Sequence, residues 1–191
     1  MNRRYFLFSL AGGVLVTPAV DTTSIFAAES SSLSPRDKAA LKSITTGVAA
    51  ATSLTLYEGL PHQSSEAAQL KQELATKETV QRHNFPFYAK PLPVDPADLP
   101  ALRRLSSSPD SFRPYLGEKR CGGFHPDYCL TWKKEKSEYD LLVCFGCQEV
   151  HLYGPSDDVL LELGPAADEL QKVLEKYHGQ RPPKLLPKAD R

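Results

Sequence analysis

Residues 128–153, with the sequence YCLTWKKEKSEYDLLVCFGCQEVHLY, decide the fold class of this chain. The stretch holds three short segments rich in aliphatic and aromatic residues, which lie at 128–132, 139–145 and 150–153. Charged residues and Gly146 separate these segments, and such a pattern predicts an antiparallel β-meander. The hairpin at 134–137 would return residues 144–147 to strand partners near 121–129.

Further strands are predicted on both sides of the meander. Residues 52–58 alternate and carry β-branched and aromatic side chains, and residues 157–163 are expected to add a last strand. Residues 85–94 favour an extended conformation, but three prolines remove hydrogen-bond donors, which restricts the segment to a sheet edge.

Helix signals alternate with these strands. Ser34-Pro35 opens a first helix, residues 64–66 a second, Asp95-Pro96 a short third and Gly164-Pro165 the clearest one. In the second helix Leu70 and Leu74 repeat at helical spacing, so this face is expected to pack on the sheet, with Glu73 and Lys77 as an exposed pair. The last helix carries its apolar face on Leu170, Val173, Leu174 and Tyr177.

The order of these elements predicts an α+β fold. We expect an antiparallel sheet of about four to six short strands with helices packed on one face. The expected division of the chain is an export signal at 1–28, a helix and linker at 29–51, one domain at 52–179 and a disordered proline-rich basic tail at 180–191.

The N-terminal residues predict export to the periplasm or another extracytoplasmic site. Arg3 and Arg4 precede an apolar stretch that is too short, and too interrupted, for a membrane-spanning helix. Cleavage is expected near Ala27 or Ala28, which leaves no integral membrane segment in the mature protein. The paired arginines favour the twin-arginine route, and the general secretory route stays open because Asn2 and Phe8 depart from that pattern.

Composition excludes binding to nucleic acid by bulk charge. The 191 residues include 23 basic and 23 acidic side chains, for a formal net charge of zero. Removing the first 28 residues leaves 163, which suits one domain with a normal core. The sequence contains no nucleophile elbow, phosphate loop, dinucleotide fingerprint or metalloprotease helix, so no catalytic signature identifies an enzyme.

The four cysteines are Cys121, Cys129, Cys144 and Cys147. In an exported chain they form a candidate disulfide set, with three connectivities open. A metal centre, with zinc as the candidate ion, could instead use Cys121, His125, Cys144 and Cys147. A redox pair at Cys144 and Cys147 is the third hypothesis, and a bulge at Gly146 would bring these two side chains together. We expect Cys121, Cys144 and Cys147 to lie within bonding reach of each other with His125 nearby, because the hairpin at 134–137 brings their segments together. Gly122, Gly123 and Gly146 would allow the close backbone approach.

The remaining histidines give a weaker signal. Glu58, His62 and His83 flank turns rich in proline and aromatic residues and form a candidate ligand site, provided the fold brings them together. His151 lies in a predicted strand and His178 closes the last helix, and both are interpreted as structural.

Four motifs resemble a family of small exported bacterial proteins of planctomycete type. They are YEGLPH at 57–62, FPFY at 85–88, CGGFHPDY at 121–128 and CFGC at 144–147. The resemblance covers about Leu54 to Tyr177 and implies no activity. It implies that Cys121, Cys144 and Cys147 are the fixed thiols and that the position of Cys129 is often a small residue.

We therefore expect an exported, non-enzymatic binding or envelope-associated domain with structural cysteines. A metal-binding or thiol-redox protein centred on Cys121, His125, Cys144 and Cys147 is the alternative.

Overall fold

A computed structural model describes residues 32–117, 119 and 123–182. The helices are α1 Pro35–Ala49, α2 Ala67–Thr76, α3 Leu99–Ser107 and α4 Ala167–Leu174. The strands are β1 Ser53–Glu58, β2 Thr79–Arg82, β3 Phe85–Tyr88, β4 Phe112–Pro114, β5 Tyr128–Lys134, β6 Ser137–Cys144, β7 Glu149–Tyr153 and β8 Asp158–Leu163. Export signal and cleavage site lie outside the described residues.

The main sheet is antiparallel and six-stranded, in the order β1-β5-β6-β7-β8-β4. The predicted meander forms its centre, with Glu135 and Lys136 in the turn between β5 and β6. The α+β fold and the number of strands in this sheet are confirmed. The sequence patterns missed β2 and β4, which are only four and three residues long.

One face of the sheet carries the main core, and α1, α3 and α4 cover it. Ile44 and Val48 of α1 are fully buried there against alternate strand residues such as Leu130 and Leu152. The cap predicted for α1 is present, because the side chain of Ser34 accepts a hydrogen bond from Asp37 N. Helix α1, which the sequence assigned to a segment ahead of the domain, is thus part of the core.

A hairpin of β2 and β3 covers part of the opposite face. Phe87 packs there against Cys129 and Leu142 in a second, smaller cluster. The prolines of segment 85–94 do not stop it from pairing, since β3 pairs with β2 and touches the edge of β1 through a bridge between Gly59 and Phe87. The expected edge strand is therefore half of a separate hairpin.

The expectation for α2 is wrong. Glu73 is its buried residue, and its carboxylate accepts a hydrogen bond of 2.9 Å from the Tyr88 hydroxyl instead of forming an exposed pair with Lys77. Leu74 remains 47% exposed. The β2–β3 hairpin supplies the apolar cover that the leucines of α2 were expected to give.

Residues 32–117 and 123–182 contain no helix that is both long enough and apolar enough to cross a membrane.

Candidate functional site

Three of the sequence motifs converge at one end of the main sheet. Glu58, the last residue of β1, pairs with Tyr128, the first residue of β5. Tyr128 in turn pairs with Val143 at the end of β6. Because neighbouring strands are antiparallel, the segments that follow β1, precede β5 and follow β6 must meet at this edge.

The close approach of these segments depends on Gly59. Its N–H donates a 2.7 Å hydrogen bond to Asp127 O, and a Cβ at this position would lie 2.0 Å from Pro126 O. A Cβ at Gly146 would meet no described atom within 4 Å, and the approach of Gly146 to the segment around Cys121 stays a prediction because residues 120–122 lie outside the described residues. At position 59 glycine is required sterically.

The converging segments enclose a motif cleft, made of two adjoining pockets that share Glu66, Asp127, Gly146 and Arg181. The larger pocket has a volume of about 360 Å³. Its acidic lining residues are Glu58, Glu66, Asp127 and Glu175, and its aromatic lining residues are Tyr128 and Phe145. Sequence reasoning singled out Glu58 alone among these carboxylates, because the others are ordinary surface residues until the chain folds.

Glu58 is 1% exposed and anchors the chain that follows α4. Its Oε2 accepts N–H hydrogen bonds from Gln180 at 2.6 Å and from Gly179 at 3.3 Å. Its Oε1 lies 2.6 Å from His178 Nδ1, an ion-pair distance without hydrogen-bond geometry. His178, interpreted from the sequence as a helix-terminal cation, therefore contributes to the cleft.

Arg181 crosses the cleft between two carboxylates. Its guanidinium donates to Asp127 Oδ1 at 3.0 Å and to Glu66 Oε2. Its side chain is only 16% exposed. The sequence placed Arg181 in a solvated tail, and the structure corrects this assignment because two acids from distant segments hold it.

The smaller pocket, of about 230 Å³, contains the histidine and cysteine side chains. The rings of His62 and His125 lie 4.7 Å apart between centroids. Nδ1 of His62 accepts a hydrogen bond from Ser64 N at 3.0 Å, so a neutral His62 carries its proton on Nε2. Burial, followed by the nearby His62 and Arg181, lowers the pKa of His125.

Cys144 and Cys147 bracket the turn between β6 and β7. The predicted break at Gly146 between segments 139–145 and 150–153 is confirmed, since β6 ends at Cys144 and β7 begins at Glu149. A turn at 145–148, instead of a bulge at Gly146, joins the two strands. Sγ of Cys144 accepts hydrogen bonds from Cys147 N at 3.3 Å and from the backbone of His125. Burial nevertheless raises the pKa of the Cys144 thiol.

The structure describes three of the four cysteines, Cys129, Cys144 and Cys147. Cys129 and Cys144 are free thiols, and Cys129 is fully buried under the β2–β3 hairpin. Sγ of Cys147 lies 3.6 Å from Gly123 O. Cys121 lies outside the described residues, so its predicted proximity to Cys144 and Cys147 stays a prediction. Within 32–117, 119 and 123–182, no three His, Cys, Asp or Glu side chains are placed to hold a metal ion.

The predicted ligand site of Glu58, His62 and His83 is divided by the fold. Glu58 lines the larger pocket of the motif cleft and His62 the smaller one. His83 lines a separate pocket, where its Nε2 lies 2.8 Å from Asp140 Oδ2.

Comparisons of the chain with protein-family models, with curated proteins and with solved structures found no match.

Proposed function

We propose that this protein is an exported, non-enzymatic binding domain and that the motif cleft is its binding surface. The observation that carries the proposal is the convergence of three motifs, distant in sequence, on one open cleft. A concave site that combines apolar walls with a few polar groups is the usual form of a ligand site.

The charges of the cleft favour a cationic ligand group. Four carboxylates line the larger pocket against the single guanidinium of Arg181. Arg181 contacts Glu66 and Asp127, and Glu58 is held by His178 and by the N–H groups of Gly179 and Gln180. Glu175 is therefore the exposed carboxylate that faces the remaining space. Tyr128 and Phe145 provide ring faces that attract an ammonium or guanidinium group.

Titration with charged probes tests this proposal. Arginine amide should bind saturably to the purified mature protein, as measured by NMR, and N-acetylglutamate should not. Glu175→Gln should weaken binding of arginine amide by about fivefold, because Glu175 is exposed at the pocket and carries one of its charges. Asp168→Asn is the matched control, since Asp168 is an exposed acid of α4 outside the lining.

Equal binding of both probes, or equal affinity in the Glu175→Gln and Asp168→Asn variants, would contradict the proposal.

A metal or thiol centre at the β6–β7 turn is the second candidate. The observation that favours it is the pair of backbone N–H groups directed at Cys144 Sγ, because such donors stabilise a thiolate that binds a metal ion. In the reduced protein, Cys147 and His125 would be the neighbouring ligands, and a disulfide at Cys147 would exclude this centre. Metal analysis of protein isolated from its own cell envelope tests this candidate, and stoichiometric zinc that is lost in Cys144→Ser is the expected result. Protein that contains no metal and keeps its stability in chelator would exclude it.

A further inference from the structure

A third pocket, here called the hairpin pocket, lies at the other end of β6 and takes no part in the motif cleft. Its volume is about 420 Å³, within the range of small-molecule sites. Three connections of the fold surround it: the β2–β3 turn, the β5–β6 turn and the segment after β7. Its charged lining residues are Arg82, Lys136, Glu138 and Asp140, with His83 beside them.

Asp140 is an unusual carboxylate for a sheet face. Its side chain is only 6% exposed, and its Oδ2 lies 2.8 Å from His83 Nε2. Its Oδ1 is buried and has no hydrogen-bond partner among the described residues. A buried carboxylate oxygen without a donor is costly, so a ligand that enters the pocket with a hydrogen-bond donor would gain from Asp140.

Arg82 carries a buried hydrogen-bond donor that has no acceptor among the described residues. NH1 donates to Glu138 at 3.0 Å, NH2 lies 3.5 Å from the Tyr57 hydroxyl, and the guanidinium stands over the Tyr57 ring. These contacts hold the side chain in place, yet its buried Nε–H has no acceptor among the described residues. One unpaired acceptor and one unpaired donor thus belong to neighbouring side chains of the same pocket.

His83 adds a second acceptor and a ring face. Because the Asp140 carboxylate accepts from Nε2–H, the neutral imidazole keeps its lone pair on Nδ1. The ring stacks on Tyr153 with 3.5 Å between centroids and 5° between planes, and its side chain is 31% exposed.

The charges of the hairpin pocket balance, since Arg82 and Lys136 oppose Glu138 and Asp140. An ionic ligand therefore gains little from the pocket, whereas hydroxyl groups both donate and accept, which suits a pocket whose side chains include one unpaired acceptor and one unpaired donor. We propose that the hairpin pocket binds a neutral polyhydroxylated ligand, a saccharide. The site is independent of the motif cleft and of the ligand class proposed for it.

The experiment is a ¹H–¹⁵N NMR titration of the mature protein with methyl glycosides of glucose, galactose, mannose and N-acetylglucosamine. Concentrations up to about 50 mM are needed, because a few hydrogen bonds give affinities near the millimolar range. At least one glycoside should shift resonances of His83, Asp140 and Tyr153 saturably.

Two variants test the unpaired atoms separately. Asp140→Asn and Arg82→Lys should each weaken the binding about tenfold, because each removes a group that the sugar hydroxyls would satisfy. Asp158→Asn is the matched control. Asp158 also pairs with a histidine on this sheet face, since its Oδ2 lies 2.8 Å from His151 Nε2, but it does not line the pocket. If Asp140→Asn does not fold, Arg82→Lys, which keeps the positive charge, still decides the question.

Absence of saturable shifts with all four glycosides, shifts confined to the motif cleft, or equal weakening in Asp158→Asn would each overturn the proposal.

Discussion

At the scale of single residues, burial decides what each cysteine can do. Burial raises the pKa of Cys144, and it raises the pKa of Cys129 as well. Two backbone donors to Cys144 Sγ act in the opposite direction without reversing the shift. At neutral pH both thiols therefore stay protonated and shielded, which is the condition of unreactive cysteines.

We predict one disulfide in the protein isolated from its native host, between Cys147 and Cys121, with Cys129 and Cys144 as the free thiols. Gly123 O lies 3.6 Å from Cys147 Sγ, and Cys121 is two positions away along the chain. Intact mass should rise by two hydrogens on reduction. In the folded, non-reduced protein neither free thiol should react quickly with a thiol reagent at pH 7, and both should react after unfolding.

Fast labelling of Cys144 in the folded protein, or a mass that does not change on reduction, would contradict this assignment.

Acidification should destabilise the fold through His151. Burial lowers its pKa, and the neighbouring His83 acts in the same direction, while Asp158 opposes them. Between the lowered folded value and the ordinary 6.5, the unfolded chain binds a proton that the folded protein does not, so stability falls as pH decreases through this window. Urea unfolding at pH 7.5 and 5.5 should show a smaller loss in His151→Gln than in the wild type.

An equal loss in the two proteins would show that other groups control this pH range.

At the scale of elements, α2 and α4 show how far an apolar pattern can be trusted. Both repeat leucine at helical spacing, and both were expected to pack on the sheet. In α4, Leu170 and Leu174 are buried in the main core, whereas Leu74 of α2 is half exposed. Spacing places the leucines on one side of a helix, but the neighbouring elements decide whether that side is covered.

The two helices therefore give a matched pair of substitutions. Leu174→Ala should lower the free energy of unfolding by about 2–5 kcal/mol, because it leaves a cavity beside fully buried neighbours. Leu74→Ala should cost less than about 0.5 kcal/mol, since about half of the side chain is in water already. Denaturant unfolding of the two variants and the wild type measures both values.

Similar losses in the two variants would contradict the difference in burial on which this prediction rests.

At the scale of the whole molecule, the motif cleft and the hairpin pocket lie at opposite ends of β6. The motif cleft has an excess of carboxylates, whereas the charges of the hairpin pocket balance. The formal net charge of the chain is zero and does not show this difference. A sum over the sequence does not tell which charged side chains lie together in the folded protein. Two ligands of different chemistry could thus bind to one small domain.

Export is the remaining prediction at this scale. N-terminal sequencing of protein from the native host should find a chain that starts near Ala28 or Glu29, because small residues precede this point and polar residues follow it. Changing Arg3 and Arg4 together to Lys should block export by the twin-arginine route. Unchanged export of that variant would assign the general secretory route, and an abundant form that starts at Met1 or Asn2 would contradict export with cleavage.

The sequence by itself determined the local elements. Alternation with a period of two predicts the meander, and the Ser34-Pro35 signal predicts the start of α1, because both depend on residues within one turn or one hairpin. The short strands β2 and β4 escaped prediction, since three or four residues carry too little pattern. Once the meander is known, its antiparallel pairing also explains why the ends of β1 and β6 meet.

Only the tertiary structure decided which side chains share a site. Arg181 joins Asp127, 54 positions away, with Glu66, 115 positions away, and His83 meets Asp140 across 57 positions. Such pairs depend on how helices and hairpins cover the sheet, and residue type gives no sign of them in advance. Burial then sets the environment of these side chains. Asp140 has the same carboxylate as a surface acid, but its neighbours exclude most of the water around it.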